Sequence, residues 1–286
     1  MSELNALWRV WTDHPVIKIP KTEYTLRGFS IASLRSNFYI QELGVMLDAG
    51  ISGNMAPDHV FISHQHADHV GSLPFHLITK AGRKVQVYTP AESRERIENY
   101  IESLFTANGD TYGPGEERRY QMVPVEPGVL DLTIKNKRFD VEVIRCYHAV
   151  PCVGYGFTER RRKLRAQYLG LKGADIKKLQ SEGVEIYDEV RYPFFCYVGD
   201  TDRRIFDEKA LDKYTTIMIE CTFLLPDDLD QADRRTHLHF DYLRPYIEAR
   251  PQTTFILYHF SQRYKKSEVE AFFAERNLPN VIAWAN

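Results

Sequence analysis

Three histidines and an aspartate lie within six residues, directly after the short apolar run 60–63. Imidazole nitrogens and carboxylate oxygens are ligands that divalent metals such as Zn²⁺ prefer. In an extended chain the first two histidines point to one side, and the turn that follows can bring the other two ligands to a second metal. The alternative, a polar loop with chance histidines, does not account for ligand types, spacing and preceding strand together. The stretch therefore predicts two adjacent metals and hydrolytic chemistry, with the ligands His64, His66, Asp68 and His69.

Three further candidate ligands, His148, Asp200 and His259, each follow a predicted strand. Strand ends are rigid positions, and a metal site needs rigid ligands. Taken singly, each has an ordinary alternative: a buried core histidine, a turn aspartate in Gly-Asp-Thr, or a loop histidine. Taken together, the seven candidates divide into two sets that share Asp200 as a bridge and leave each metal a position for water or substrate. One set is His64, His66, His148 and Asp200, and the other is Asp68, His69, His259 and Asp200.

Apolar strand-like runs alternate with helical patterns along the chain, and no clear linker interrupts them. We expect a mixed α/β fold in a single domain over residues 1–286. Strands are predicted at 38–40, 44–50, 60–63, 84–88, 139–144, 194–198, 216–219, 254–258 and 281–284. Helices are predicted at 72–82, 91–107, 239–249 and 267–277.

The composition excludes several classes of protein. The net charge is -2, so any nucleic-acid surface must be local. The four cysteines form no CxxC pair, which argues against a thiolate zinc site or a disulfide scaffold and fits a reducing compartment. The N-terminus has no secretory pattern and no apolar run approaches membrane-spanning length, so we expect a cytoplasmic protein without a membrane segment.

The HxHxDH stretch resembles the signature of the metallo-β-lactamase superfamily, and the rest of the chain resembles the tRNase Z family within it. The narrower likeness is carried by Glu220-Cys221-Thr222-Phe223, by His237 and by the segment 259–264. Residues 163–186 are similar to the short, cytosolic tRNase Z of plants. The resemblance implies an αββα sandwich, in which two packed mixed β-sheets carry helices on their outer faces.

The resemblance also implies an activity: removal of the 3′ trailer from precursor tRNA, leaving a 3′-OH. Two Zn²⁺ per subunit, or Mn²⁺ or another divalent metal, would activate the attacking water, and Asp68 would orient it and accept its proton. His237, positioned by Glu220, would donate a proton to the departing 3′ oxygen. Since His239 lies two residues further on, either histidine could be the donor, and the family spacing favours His237.

Substrate would be held by a short basic arm-like insertion at about 158–192, which lacks the Gly-Pro-rich tip of many bacterial arms. The short members of the family are homodimers in which the arm of one subunit serves the other's site. Candidate substrate-binding residues are Arg263, Tyr155, Arg161, Arg162 and Arg165. Their ordinary alternatives are a surface arginine, a core tyrosine and a solvated charged loop.

Asp48 follows a strand and precedes a glycine, so it either hydrogen-bonds a ligand histidine or makes a turn.

Three other functions remain open at this point. A phosphodiesterase for cyclic nucleotides or other small phosphodiesters would share the metals but would not need the basic arm. A glyoxalase II-like thioesterase would not need Glu220 and His237 at a leaving oxygen. A non-catalytic nucleic-acid-binding module would lack a ligand, and none is missing.

Overall fold

The computed structural model describes residues 16–53, 55–78, 84–109 and 118–286, and these residues form two seven-stranded sheets. The first sheet is antiparallel from β1 to β4 and parallel from β4 to β7, with the strands side by side in chain order. Its strands are β1 (Ile17–Lys18), β2 (Thr25–Ile31), β3 (Arg35–Ile40), β4 (Val45–Leu47), β5 (His59–Phe61), β6 (Val85–Pro90) and β7 (Tyr120–Val125).

The second sheet repeats this plan. It is antiparallel from β8 to β11 and parallel from β11 to β14, again in chain order. Its strands are β8 (Gly128–Ile134), β9 (Lys137–Cys146), β10 (Cys152–Leu164), β11 (Tyr187–Tyr197), β12 (Thr216–Glu220), β13 (Thr254–Tyr258) and β14 (Val281–Ala283). In β9 the alternation of Phe139, Val141 and Val143 with polar residues sends the apolar side chains into the core between the sheets.

Helices cover the outer faces of both sheets. Ile97, Ile101 and Phe105 recur at helical spacing and pack with buried residues of β5 and β6 on one side of the sandwich. Leu243 and Val269 belong to the corresponding cluster on the other side. The helices are α1 (Ala67–Val70), α2 (Leu73–Ile78), α3 (Arg94–Ala107), α4 (Gly173–Ser181), α5 (Leu229–Arg235), α6 (Phe240–Glu248) and α7 (Lys266–Arg276). The predicted αββα sandwich is confirmed.

The predicted insertion is a hairpin arm made of the outer parts of β10 and β11. The strand β10 pairs with β9 only as far as Arg160, whereas it pairs with β11 out to Leu164 and Tyr187. The helix α4 lies within the connection at the tip. Residues 158–192 carry nine basic and six acidic side chains, a local charge of +3 in a chain of net charge -2.

Several elements differ from the predictions. Strands β1, β2, β7, β8 and β10 and helices α1, α4 and α5 were not predicted. The predicted helix at 72–82 is observed as α2, and residues 79–83 lie outside the described residues, as do residues 1–15. None of the described helices is both long and apolar enough to cross a membrane.

Candidate metal centre

Parallel strands bring the candidate ligands together. Strands β4, β5 and β6 run parallel in one sheet, and β11, β12 and β13 run parallel in the other. Their carboxyl ends meet at one edge of the sandwich, so the residues that follow them converge. His64 follows β5, Asp200 follows β11 and His259 follows β13.

Three imidazole nitrogens form the first group. Nε2 of His64 lies 3.0 Å from Nδ1 of His66, which lies 3.2 Å from Nε2 of His148. Burial lowers the pKa of all three imidazoles, most strongly that of His64. Neutral imidazoles have a free lone pair, so this group is suited to bind a metal.

The second group consists of Asp68, His69 and His259. Oδ2 of Asp68 lies 3.5 Å from Nε2 of His69 and 3.5 Å from Nε2 of His259. The two Nε2 atoms lie 3.4 Å apart. Burial, the largest single influence, favours the neutral acid in Asp68, but the hydrogen bond with His259 and the charges of His69 and His259 together outweigh burial and lower the pKa of Asp68 to about 2. The carboxylate is therefore ionised at neutral pH.

Asp200 joins the two groups. Its Oδ2 lies 3.8 Å from Nε2 of His64, 3.5 Å from Nε2 of His69 and 3.4 Å from Nε2 of His259. Its Oδ1 is buried and has no hydrogen-bond partner among the described residues. A buried carboxylate oxygen without a donor is costly unless a cation balances it. The donor set and this oxygen fit a pair of divalent metals.

Asp48 holds the second group in place. Its Oδ2 accepts hydrogen bonds from Nδ1 of His69 at 2.6 Å, from the Tyr197 hydroxyl at 2.5 Å and from the Ser63 hydroxyl at 2.8 Å. Its Oδ1 accepts from the amide of Ser63. Since the bond to Nδ1 leaves Nε2 of His69 free to face a metal, Asp48 fixes both tautomer and ring orientation.

Two residues of the centre have left-handed backbone conformations. Asp48 has a φ of 54° and His259 a φ of 65°. Non-glycine residues in this region cost about 1–2 kcal/mol each. The bonds of Asp48, and the 3.0 Å contact between Nδ1 of His259 and the Thr222 hydroxyl, stabilise these conformations.

Glu220 and His237 form a dyad beside the two groups. Nδ1 of His237 donates a hydrogen bond to Oε1 of Glu220 at 2.8 Å. Burial lowers the pKa of His237, but the charge and hydrogen bond of Glu220, with a smaller contribution from Asp200, together outweigh burial and raise that pKa to about 9. His237 is thus protonated at neutral pH, and its Nε2 is left to serve as an acid.

Glu220 itself is fully buried at the end of β12. Its other bonds come from the amides of Thr201 and Leu238 and from the Thr222 hydroxyl.

His239 has a different function. It is fully buried and is the N-cap residue of α6, where its Nδ1 accepts a hydrogen bond from the amide of Asp241 at 3.1 Å. Its Nε2 donates to the carbonyl oxygen of Leu225 at 2.8 Å. Both ring nitrogens are therefore engaged in the fold, which leaves His237 as the histidine that faces the centre.

Sequence comparison identifies the family. The chain is 30% identical to "tRNase Z TRZ1" of Arabidopsis thaliana over 258 residues, which cover 86% of this chain and 89% of that protein. The chain belongs to the tRNase Z family. It is also 26% identical to "tRNase Z TRZ2, chloroplastic" of the same plant over 257 residues, covering 86% of this chain and 70% of the relative. No protein-family model matches the chain.

Solved structures agree on the fold of this tRNase Z family member. Human tRNase Z, short form, superposes with a TM-score of 0.55 at 14% identity, covering 91% of this chain and 95% of the human chain. The metallo-β-lactamase fold protein YhfI from Bacillus subtilis superposes with a TM-score of 0.59 at 14% identity, covering 92% and 96%. At such identities the likeness speaks for the fold alone.

Tyr155 lies elsewhere than expected. It is fully buried between the sheets of this tRNase Z family member, and its hydroxyl donates a hydrogen bond to the carbonyl oxygen of Ile62 at 2.7 Å. The predicted stacking of Tyr155 on a base is wrong, because no face of the ring is open to a ligand.

The arginines of the arm each have a carboxylate partner. Arg161 pairs with Glu159 at 2.7 Å, Arg162 with Glu185 at 3.2 Å and Arg165 with Asp188 at 2.9 Å. All three lie far enough out to be reached by solvent. Part of the positive charge of the arm is therefore already balanced by carboxylates. A polyanion bound there would compete with these carboxylates for the arginines.

Two clefts reach the histidines of the centre. One, of about 620 Å³, meets the centre at His148 and also contacts Arg145 and Arg204. The other, of about 500 Å³, meets it at His237 and is lined by Arg235 and Arg263. Both volumes are in the range of ligand sites.

Sequence reasoning missed the hydroxyl and carbonyl groups that orient the ligands. The Ser63 hydroxyl bonds His64, and the Thr222 hydroxyl bonds His259. Ser63 directly precedes the HxHxDH stretch and Thr222 lies within the segment 220–223, so both positions could have drawn attention. The carbonyl of Thr236 accepts from Nδ1 of His148 at 3.0 Å, which no sequence pattern signals. Tyr197 carries no signal either, because a strand tyrosine is ordinarily a core residue.

Proposed function

We propose that this chain is a metal-dependent endoribonuclease that removes the 3′ trailer from precursor tRNA and leaves a 3′-OH. The observation that carries the proposal is the dyad of Glu220 and His237 beside the ligand cluster. A protonated histidine next to two metal sites suits a reaction whose leaving oxygen must take up a proton, as a ribose 3′ oxygen does. Membership of the tRNase Z family supports the same substrate.

The proposed cofactors are two Zn²⁺ per subunit, with Mn²⁺ or another divalent metal as the alternative. Nitrogen and carboxylate donors in two adjacent groups support this choice. When bound, such metals supply an activated water and neutralise charge on the phosphoryl oxygens. The proposed ligands are His64, His66, Asp68, His69, His148, Asp200 and His259.

The chain's own residues perform the proton transfers in this proposal. The ionised carboxylate of Asp68 accepts a hydrogen bond from the attacking water, directs it toward phosphorus and takes up its proton. Nε2 of His237 gives its proton to the departing 3′ oxygen. Glu220 then faces a neutral histidine, whose reprotonation it favours. Asp48 takes no part in proton transfer and only orients His69.

For substrate binding we propose the arm and the cleft beside His237. Arg161, Arg162 and Arg165 would exchange carboxylate partners for tRNA phosphates, and Arg263, at the cleft, would contact RNA near the cut.

We further propose a homodimer in which the arm of one subunit serves the other's site. Leu169, at 66% exposure, and the exposed Leu171 and Val184 support an apolar contact at the arm.

The single domain over residues 1–286 and a cytoplasmic location remain our proposals. All four cysteines are free thiols, which supports a reducing compartment.

The test is cleavage of a trailer-bearing precursor tRNA by the zinc-loaded protein, with the product ends mapped. We expect a single cut that leaves a 3′-OH on the tRNA and a 5′-phosphate on the trailer. Bis(p-nitrophenyl) phosphate, incubated in parallel, reports whether the centre is active at all, and Asp200→Ala is the inactive control. Hydrolysis of the small ester without cleavage of the RNA would instead support a phosphodiesterase for small substrates.

A further inference from the structure

The cleft beside His237 is cationic. Arg235 and Arg263 line it, together with the polar residues Ser33 and Gln262, and none of the described residues that line it is a carboxylate. The floor includes Phe223, whose ring faces the guanidinium of Arg263 at 5.5 Å. A concave surface lined by two arginines next to a proton donor is suited to an anionic group of the substrate.

The backbone fixes Arg235 relative to the proton donor. Arg235 is the last residue of α5, and Thr236 reverses the chain in a left-handed conformation with a φ of 55°. The carbonyl of Thr236 accepts from His148, and His237 donates to Glu220. Three consecutive residues are thus tied to the helix, to a ligand histidine and to the buried carboxylate.

The two cations of the cleft differ in availability. The guanidinium of Arg263 already donates to Oδ1 of Asp228 at 2.5 Å and to Oε1 of Gln231 at 3.1 Å. The guanidinium of Arg235, by contrast, has no ion pair or hydrogen bond with any residue in the described part of the chain. Arg235 is therefore the cation that a ligand would find free.

We propose that Arg235 binds the phosphate on the 5′ side of the last tRNA nucleotide, one nucleotide upstream of the cut. This inference rests on the proposed function. His237 must face the leaving 3′ oxygen, so the nucleotide that carries this oxygen lies at the cleft, and its own 5′-phosphate is the next anion along the chain. Small diesters lack this phosphate, so Arg235 distinguishes a polynucleotide from a small ester without touching the reacting atoms.

The experiment compares Arg235→Ala with Arg234→Ala on precursor tRNA. Arg234 is the adjacent residue of α5, but it is 76% exposed and pairs with Asp230 at 3.7 Å, so it serves as the matched control. We expect Arg235→Ala to raise KM for precursor tRNA about 10- to 100-fold, the effect of one charged hydrogen-bonding contact. Arg235→Lys should recover part of the loss, and Arg234→Ala should leave KM within about twofold. Hydrolysis of bis(p-nitrophenyl) phosphate should not change in any of the three.

A neutral methylphosphonate at this one linkage of the RNA provides a second test that requires no variant. In the wild-type protein it should raise KM as much as Arg235→Ala does, and in Arg235→Ala it should add nothing further. If the methylphosphonate and Arg235→Ala each raised KM independently, so that their effects multiplied, Arg235 and this phosphate would not be in contact. An unchanged KM in Arg235→Ala would overturn the proposal directly. If the wild-type protein hydrolyses the small ester but cleaves no precursor tRNA, the proposed function itself fails, which is a different result from either of these.

Discussion

Replacement of His237 by alanine should affect two substrates differently, because one needs a proton on its leaving group and the other does not. A ribose 3′ oxygen is a poor leaving group without protonation, so loss of the acid should lower kcat for precursor tRNA about 10²- to 10⁴-fold. Bis(p-nitrophenyl) phosphate releases a stable phenolate that needs no proton, and its hydrolysis should fall by no more than a fewfold. The ratio of the two kcat losses reports how much more the tRNA reaction depends on His237 than hydrolysis of the small ester does.

The pH dependence of cleavage provides a second, quantitative test of His237 as the acid. The Glu220 carboxylate raises the pKa of His237 from 6.5 to about 9, despite burial. An acid acts only while protonated, so activity on precursor tRNA should persist through neutral pH and decline near pH 9. In Glu220→Gln the carboxylate charge is gone while burial remains, so the pKa of His237 falls and the decline should move to lower pH, even though Asp200 still raises that pKa. At acid pH, Glu220→Gln should therefore approach the wild-type rate more closely than at pH 8.

Single-turnover cleavage of end-labelled precursor tRNA is the appropriate assay, because it excludes product release. His239→Asn is the matched control: asparagine can still cap α6 but loses the bond to the Leu225 carbonyl, so this variant should lose stability of about 1–3 kcal/mol and keep its chemistry. Metal content measured on each variant shows that His237→Ala still binds its metals. Equal losses on both substrates, or an equal loss in His239→Asn, would refute the assignment of His237 as the acid.

Three further predictions concern the centre and its surroundings. Asp48→Asn should weaken metal binding about 10- to 100-fold, because Asp48 orients His69. Competition with a chelating dye measures the metal affinity, and an unchanged affinity would contradict the orienting role of Asp48. Gly50→Ala should destabilise the fold by about 1–3 kcal/mol, because the added Cβ would lie 1.9 Å from the carbonyl oxygen of Asp68. Gly170→Ala is the control: open space surrounds Gly170, so the free energy of unfolding in urea should not change. Metal removal by a chelator should lower Tm by several degrees in calorimetry, because buried Asp200 loses its balancing charge; an unchanged Tm would count against metal in the isolated protein.

The sequence was informative where the chemistry is local. The stretch from His64 to His69 contains four candidate ligands within six residues, so their types and spacing alone indicated a metal site. The strand-end positions of Asp200 and His259 could be anticipated because parallel strands end at a common edge. Strand β8 was missed even though Leu130, Leu132 and Ile134 alternate with Asp131 and Thr133, and all three apolar side chains lie in or against the core.

Features that depend on contacts between distant segments of the chain could not be predicted from the sequence. His237 and His239 have similar sequence surroundings, and only the contacts with Glu220 and Leu225 distinguish acid from cap. The arm posed the same difficulty. Its basic residues look like a free stretch until the register with β11 places Asp188 opposite Lys163 and within reach of Arg165.

The metal centre draws on both halves of the sandwich. Asp68 and His69 follow the first sheet's β5, whereas His259 follows the second sheet's β13, some 190 residues away along the chain. Metals held there would act as cross-links between two halves that are also joined by apolar packing and by hydrogen bonds such as that from the Tyr197 hydroxyl to Asp48. A chain cut between β7 and β8 would therefore reassemble in a metal-dependent manner, with each half bringing an incomplete set of ligands that only its counterpart can complete.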